Sequence, residues 1–311
     1  MIKVGVIGSG RWGKNHLRIY SELDCQLIAL ADVNPKEKNT ASEYGILFKE
    51  DYKEMLPLVD AVSVVVPTTH HYHVVKDCLN AGKHVLVEKP TTLDHKSTKE
   101  LIDLAKKKNL LLLPGYVFRY NSSVLALKEQ IKKAGDIQYI TARYIHSHVP
   151  PRKDSGVTFN LAIHIVDVLG QILERKPNKL FCKTLNYLSE KDDVSLISLD
   201  YGDFIASIEA TCFHPIKKRD LWLVGSKRKL YVDMLRQELT IYEKEIGYDS
   251  VKEKPQYNVE IWKNEPLKDE LKFFLETIEK DGPFPDSELY DTIKICELSL
   301  ESAKTGKEKK L

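Results

Sequence analysis

The sequence predicts two domains, an α/β domain with a doubly wound parallel sheet (a Rossmann domain) and an α+β domain with a large, mainly antiparallel open sheet. Short apolar strands alternate with helical patterns over residues 1–120, a glycine fingerprint follows the first strand, and strand patterns of period two dominate residues 121–311. A chain of 311 residues also exceeds the usual size of one domain. We therefore expect a domain boundary near residue 120.

The chain begins with an apolar strand that runs directly into a GxGxxG pattern, KVGVIGSGRWG. Gly8 permits a tight turn, Gly10 lets the backbone approach a pyrophosphate, and Gly13 lets the next helix pack closely on the strand. The free amides and the positive end of that helix favour phosphate. The pattern predicts a dinucleotide site that includes Arg11 and Trp12.

An aspartate follows the fingerprint after about 20 residues, where a ribose-binding carboxylate is expected. Asp32 closes the apolar run LIALA. A carboxylate there accepts the adenosine ribose hydroxyls and repels a 2′-phosphate, so the sequence favours NAD over NADP, although Asn34 and Lys36 are near enough to modify this preference. The alternative is that Asp32 only ends the strand at a turn.

The rest of the first domain continues the alternation. Helices are predicted over 35–44, 52–56, 70–80 and 94–108, and strands over 46–48, 61–66, 84–87 and 110–113. Strands rich in Val and Leu between helices are typical of a parallel sheet that is covered on both faces. We expect the ligand crevice at the carboxyl ends of these strands.

The second domain begins with one amphipathic helix and continues mostly as strands. The helix is predicted over 124–133, strands over 137–144, 196–200, 204–212 and 239–243, a hairpin around 225–228, and two final helices over 267–281 and 287–303. The last helix is a candidate to pack back on the first domain.

Composition excludes several classes of function. A formal net charge of +2 gives no basis for nucleic-acid or membrane-surface binding, and no apolar run approaches the length of a membrane span. Five scattered cysteines indicate neither a zinc site nor a disulfide framework, and we expect them to be reduced in a cytoplasmic protein. The histidines at 70, 71 and 73 do not converge on one ion, so no metal site is predicted.

Three more motifs follow the fingerprint: AGKHVLVEKP at 81–90, GYVFRYN at 115–121 and NLAIHIVD at 160–167. In this order, and over essentially the whole chain, the four motifs resemble the Gfo/Idh/MocA family of sugar and cyclitol dehydrogenases. The resemblance implies an NAD-dependent oxidation of a sugar hydroxyl to a ketone. It also implies a homodimer or homotetramer that pairs through the second sheet.

Lys89 and His164 are the predicted catalytic residues. A lysine at the end of a parallel strand can donate to a substrate hydroxyl and stabilise an alkoxide. The resemblance implies that Lys89 contacts both substrate and nicotinamide, and that His164 accepts the hydroxyl proton. Without the resemblance, a surface lysine and a structural histidine are the simpler interpretations. Asn160 and Asp167, at helical spacings from His164, are expected on the same helical face.

Asn160 departs from the family pattern, because many members carry aspartate there. An amide cannot act as a base, so we expect Asn160 to orient the sugar or a water. The chemistry then depends on His164 and Lys89.

Further site residues are assigned from the resemblance. On the cofactor side they are Pro67, Thr68, His71 and Glu88, and on the substrate side they are Arg119, Asn121 and Arg152.

Segments 212–219, 221–226 and 231–237 look like the branch of the family that oxidises the 3-hydroxyl of UDP-N-acetylglucosamine or of its uronic acid. Arginine and lysine suit the diphosphate of such a substrate. The candidate donors are Arg119, Arg143, Arg152, Lys217, Lys218 and Arg219. The alternatives are a free-sugar or myo-inositol dehydrogenase and, in another class, a non-catalytic NAD-binding regulator.

Overall fold

The computed structural model describes residues 1–146, 154–188, 190–252, 254–280 and 286–311. The chain forms two compact units. The first comprises Met1–Tyr116 and Leu267–Ile293, and the second comprises Val117–Pro266 and Lys294–Leu311. Both predicted sheets are present, and the predicted fold class is confirmed.

The first unit contains a six-stranded sheet in which all neighbouring strands are parallel. Its strands are β1 (Lys3–Ile7), β2 (Gln26–Ala31), β3 (Leu47–Lys49), β4 (Ala61–Val64), β5 (His84–Glu88) and β6 (Leu112–Gly115). Their order is β3-β2-β1-β4-β5-β6, so the direction of winding reverses between β1 and β4. The carboxyl ends of strands at such a reversal form the usual ligand crevice.

Helices connect these strands, and several of their bounds differ from prediction. They are α1 (Arg11–Glu22), α2 (Lys38–Glu43), α3 (Thr68–Asn80) and α4 (His95–Lys107). The helix predicted over 52–56 is instead two short 3₁₀ turns, one of which contains Pro57. Asp94 caps α4, because its side chain accepts a hydrogen bond of 2.7 Å from the Ser97 amide.

The second unit contains a nine-stranded sheet of order β16-β13-β12-β11-β7-β10-β9-β8-β17. Its strands are β7 (Ile137–Ile145), β8 (Lys179–Leu185), β9 (Val194–Asp200), β10 (Ile205–Thr211), β11 (Lys218–Gly225), β12 (Lys229–Asp233), β13 (Glu238–Tyr242), β16 (Gln256–Asn258) and β17 (Lys309–Lys310). A separate small ribbon joins β14 (Glu245–Ile246) to β15 (Val251–Lys252). Among the described strands of this sheet, only β7 and β10 pair in parallel. The sequence did not predict β8, β16 or β17.

The helices of the second part of the chain are α5 (Ser122–Gln130), α6 (Ile163–Leu173), α7 (Pro266–Glu279) and α8 (Asp286–Thr305). A π-helical turn, Thr158–Ala162, leads into α6. Within the first unit, α7 is tied to α1 by an ion pair of 2.8 Å between Lys268 and Glu22. The first residues of α8 group with the first unit and the later ones with the second.

The nine-stranded sheet has two different faces. Ala142, Ile208 and Leu221 belong to a buried face that packs with α6 and its π turn. The other face, called here the outer face, exposes apolar side chains that include Phe181, Leu196 and Ile205. Because side chains alternate along a strand, neighbouring residues of one strand serve these two faces in turn.

All five cysteines have free thiols, and four of them are buried whereas Cys25 is half-buried. Burial raises the pKa of the Cys78 thiol to about 12 and that of Cys182 to about 11. No helix among the described residues is long and apolar enough to span a membrane.

Candidate active site

The predicted glycine turn lies between β1 and α1, and each glycine has its own reason to be there. Gly8 has a φ of +96°, and a Cβ on it would lie 2.5 Å from the Val65 carbonyl oxygen. A Cβ on Gly13 would lie 2.0 Å from the carbonyl oxygen of Gly8. Both positions therefore require glycine for the backbone to close.

Gly10 differs from the other two because the space around it is open. It is the N-cap residue of α1, it has φ −60°, and no atom lies within 4 Å of the position that a Cβ would take. No acidic side chain occupies the first turn of α1. An open approach to a helix N-terminus fits a pyrophosphate, so the residues present fit the predicted dinucleotide.

Asp32 follows β2 directly, and its carboxylate is held in place by short hydrogen bonds. Its Oδ2 accepts from the amide and the hydroxyl of Ser9 at 2.7 and 2.8 Å, and its Oδ1 accepts from the Asn34 amide at 2.8 Å. These bonds fix the carboxylate beside the glycine turn. Arg11 and Trp12 lie exposed on the first turn of α1.

His71 connects the segments that follow β4 and β5. Its ring is buried on α3, with Nε2 2.8 Å from the Val66 carbonyl oxygen and Nδ1 2.7 Å from that of Pro90. Pro67 is the N-cap of the same helix, and Thr68, the first helical residue, is buried. The predicted loop is therefore fixed to the backbone just past Lys89.

Glu88 ends β5, and its carboxylate interacts with a histidine that the sequence analysis missed. Its Oε1 lies 3.4 Å from Nε2 of the fully buried His16, and its Oε2 accepts from the Lys89 amide at 3.1 Å. Burial raises the pKa of the Glu88 carboxyl, but the hydrogen bond and charge of His16, together with Lys89, outweigh it and hold the pKa below the ordinary value. A negative charge therefore stays beside Lys89, which is itself buried.

In the second unit, aromatic rings pack against the predicted base, His164. The buried His164 ring on α6 stacks on Tyr144 of β7, with centroids 5.6 Å apart and an angle of 21° between the planes. Phe118 meets the same ring edge-on at 5.0 Å. These contacts restrict the orientation of the imidazole. Neither aromatic residue was predicted to be part of the site.

Asn160 lies on the π turn, which corrects the α-helical spacing that the sequence predicted. Thr158 anchors this turn, because its amide and hydroxyl donate to Asp192 Oδ2 at 2.7 and 2.6 Å. π turns occur frequently at functional sites. Asn160 is partly exposed, whereas Phe159 and Leu161 on either side are buried.

Two predicted substrate ligands are engaged inside the protein. Arg119 Nε donates to both carboxylate oxygens of Asp167 at 2.9 and 3.0 Å in a buried pair. The amide of Asn121 accepts from the Ser123 amide at 3.1 Å and donates to the Met234 carbonyl at 3.0 Å. This geometry gives both side chains a structural role within the second unit. The third predicted ligand, Arg152, is outside the described residues.

Other predicted phosphate donors lie elsewhere. Arg143 forms a two-bond pair with Asp220, at 2.9 and 2.6 Å, and Lys218 lies 3.9 Å from the same carboxylate. Lys217 is exposed. Within the described ranges, no group of three or more His, Cys, Asp or Glu side chains is arranged to hold a metal ion.

Comparison with known proteins identifies the family of the first unit. Residues 2–116 match the GFO_IDH_MocA family, described as an oxidoreductase family with an NAD-binding Rossmann fold. This match shows the Gfo/Idh/MocA family for residues 2–116. The matched residues belong to an NAD-binding oxidoreductase family, which confirms the predicted enzyme class and cofactor.

Relatives of known name match this chain over most of its length. It is 27% identical to a UDP-N-acetylglucosamine 3-dehydrogenase of Acidithiobacillus ferrooxidans, over 91% of this chain and 90% of that protein. It is 24% identical to a myo-inositol 2-dehydrogenase of Thermotoga maritima, over 91% of this chain and 90% of that protein. The similarity therefore extends well beyond the NAD-binding unit.

Solved structures show the same fold for both parts of the chain. A structure of the Acidithiobacillus ferrooxidans UDP-N-acetylglucosamine 3-dehydrogenase superposes with a TM-score of 0.87 at 24% identity, covering 98% of each chain. A levoglucosan dehydrogenase in complex with NADH gives a TM-score of 0.88 at 18% identity, covering 99% of this chain and 98% of the other.

Proposed function

We propose that this chain is an NAD-dependent dehydrogenase that oxidises the 3-hydroxyl of UDP-N-acetylglucosamine, or of its uronic acid, to a ketone. The observation that supports this chemistry best is His164, a histidine fixed by Tyr144 and Phe118 in an NAD-binding oxidoreductase. The choice of sugar is supported by similarity over 91% of the chain to an enzyme named for that reaction.

The proposed roles follow from the chemistry of each side chain. When bound, NAD supplies the acceptor for the hydride that leaves the sugar carbon. His164 accepts the hydroxyl proton, since an imidazole titrates near neutral pH. The Lys89 ammonium donates to the substrate oxygen as negative charge develops on it. Asn160 orients the sugar or a water through its amide.

The cofactor preference rests on Asp32. With both of its oxygens held by Ser9 and Asn34, the carboxylate cannot easily turn away from a ribose. A 2′-phosphate brought to this position would meet a fixed negative charge. We therefore propose that the protein uses NAD in preference to NADP.

Oxidation of a cyclitol is the second candidate, because the chain is also 24% identical to a myo-inositol 2-dehydrogenase. A panel assay separates the two candidates. UDP-N-acetylglucosamine, its uronic acid, N-acetylglucosamine and myo-inositol are each mixed with the protein and NAD or NADP, and the absorbance of the reduced cofactor is followed. We expect the highest kcat/KM with a UDP-sugar and NAD. A higher kcat/KM for an uncharged substrate, or no turnover at all, contradicts the proposal.

We also propose that copies of the protein pair as a homodimer or homotetramer through the outer face of the nine-stranded sheet. That face presents Phe181, Leu196 and Ile205 to solvent in the single chain. Clusters of exposed apolar side chains of this kind commonly mark interaction surfaces.

A further inference from the structure

Arg219 lies on the same aromatic rings that hold His164. Its guanidinium carbon is 4.5 Å from the centre of the Tyr144 ring and 5.5 Å from that of Phe118. Arg219 is paired with Tyr144 in the register of β11 on β7, so the two side chains emerge together from the sheet. The next residue of β11, Asp220, is paired with Arg143 instead. Alternation along the strand therefore directs Arg219 to the face that packs with His164.

Among the described residues Arg219 has no acidic partner, unlike the other arginines of the second unit that the structure describes. Arg119, Arg143, Arg175, Arg228 and Arg236 each lie within ion-pair distance of an Asp or Glu. In the part of the chain that the structure describes, no carboxylate pairs with Arg219, and its buried Nε has no hydrogen-bond acceptor.

The guanidinium of Arg219 has hydrogen-bond donors that a ligand can use. Stacking on aromatic rings favours the cation and limits its movement, while leaving its planar set of donors available. Those donors match the paired oxygens of a phosphate or a carboxylate. The residue is half-exposed, so an anion can reach it from solvent.

We propose that Arg219 binds an anionic oxygen group of the substrate, a phosphate or a carboxylate, and so makes the protein select charged sugars over neutral ones. This inference rests on the proposed function, since it concerns the substrate of the same reaction. A nucleotide sugar offers a diphosphate, its uronic acid offers a carboxylate as well, and a free cyclitol offers neither. Arg219 is thus a specificity residue that acts on substrate binding.

The test measures binding and turnover separately. UDP and glucuronate are titrated by calorimetry into the full-length protein with NAD present, for the unchanged protein, Arg219→Met and Arg219→Lys. Arg228→Met is the matched control, because Arg228 is paired with Glu243 at 2.6 Å near the β11–β12 turn. Thermal unfolding of each variant shows whether it folds. If Arg219→Met does not fold, the comparison is made with Arg219→Lys.

We expect Arg219→Met to weaken binding of one of the two probes by between about 10-fold and about 100-fold, the range of a charge-assisted hydrogen bond. Arg219→Lys should retain part of this affinity, and Arg228→Met should bind as the unchanged protein does. Loss of UDP binding assigns Arg219 to the diphosphate, and loss of glucuronate binding assigns it to the carboxylate. Unchanged affinity for both probes in Arg219→Met, or an equal loss in Arg228→Met, overturns the inference.

In turnover, Arg219→Met should raise KM for UDP-N-acetylglucosamine while KM for myo-inositol changes less than about 2-fold, because a neutral substrate makes no ionic contact. An equal rise for both substrates overturns the inference. If no substrate of the panel is turned over, the proposed function fails. The calorimetric measurement still tests anion binding by Arg219 independently of turnover.

Discussion

His164 is the residue on which the proposed chemistry depends most. Its ring is positioned by contacts with Tyr144 and Phe118, whose rings come from β7 and from a 3₁₀ turn before α5. Two separate segments of the second unit therefore position the imidazole that α6 carries. Such convergence fixes the direction in which the base can accept a proton, which matters because proton transfer needs a short, aligned approach.

Replacement of His164 by Gln tests this role. We expect kcat to fall between about 10²-fold and about 10⁴-fold, because general base catalysis is lost. The affinity for NADH, measured by fluorescence titration, should be unchanged, since the glycine turn and Asp32 are not altered. His73→Gln is the control, because His73 is exposed on α3. Full turnover by His164→Gln would rule out the assignment.

The residues that could be predicted are those whose role depends on residues close to them in the chain. Gly8, Gly13 and Asp32 were found because a turn and a strand end leave a short, regular pattern. The contact of His16 with Glu88 joins residues 72 positions apart, and no local pattern records it. The pairing of Arg119 with Asp167 likewise joins residues far apart in the chain, and the sequence did not predict it.

At the scale of elements, the glycines of the turn between β1 and α1 have two different roles. Gly13 is required by backbone packing, because a Cβ on it would overlap the Gly8 carbonyl. Gly10 is not required for packing, and its surroundings are open. One of these glycines therefore serves the fold, and we propose that the other serves the cofactor.

Two alanine variants check this separation. Gly10→Ala should keep the stability of the unchanged protein but lose NADH affinity, because its methyl group would occupy the space where a pyrophosphate approaches. Gly13→Ala should lower the free energy of unfolding by about 1–3 kcal/mol through overpacking. Urea unfolding and NADH titration of both variants provide the measurement. Equal NADH affinity for Gly10→Ala and the unchanged protein would contradict the proposed position of the cofactor.

The alternation of strands and helices predicted the first unit well, because parallel strands buried on both faces are apolar throughout. It predicted the second unit less completely. The edge strands β16 and β17 have three and two residues, too few for a periodic pattern to be recognised. β8 has the apolar residues Phe181 and Leu185 on the same exposed face as its lysines, and these mask its alternation.

At the scale of the whole molecule, the proposed pairing through the outer face of the nine-stranded sheet can be tested in solution. We expect sedimentation velocity to show a dimer or tetramer for the unchanged protein. Leu196→Glu should shift it towards monomer, because a carboxylate would be buried without a partner at the interface. Leu125→Glu is a matched control, since Leu125 on α5 is 44% exposed and Leu196 is 47% exposed. A monomeric unchanged protein, or the same shift in both variants, would refute pairing through this face.

The π turn that contains Asn160 has a consequence for how the site can be altered. A π turn holds one residue more than an α-helical turn, so Asn160 does not have the angular relation to α6 that an α-helix would give it. Deletion of Leu161, which lies between the two residues in the chain, would shorten this turn and rotate Asn160 relative to His164 without changing either side chain. Insertions and deletions in this segment are therefore as consequential for the placement of the amide as any substitution of Asn160 itself.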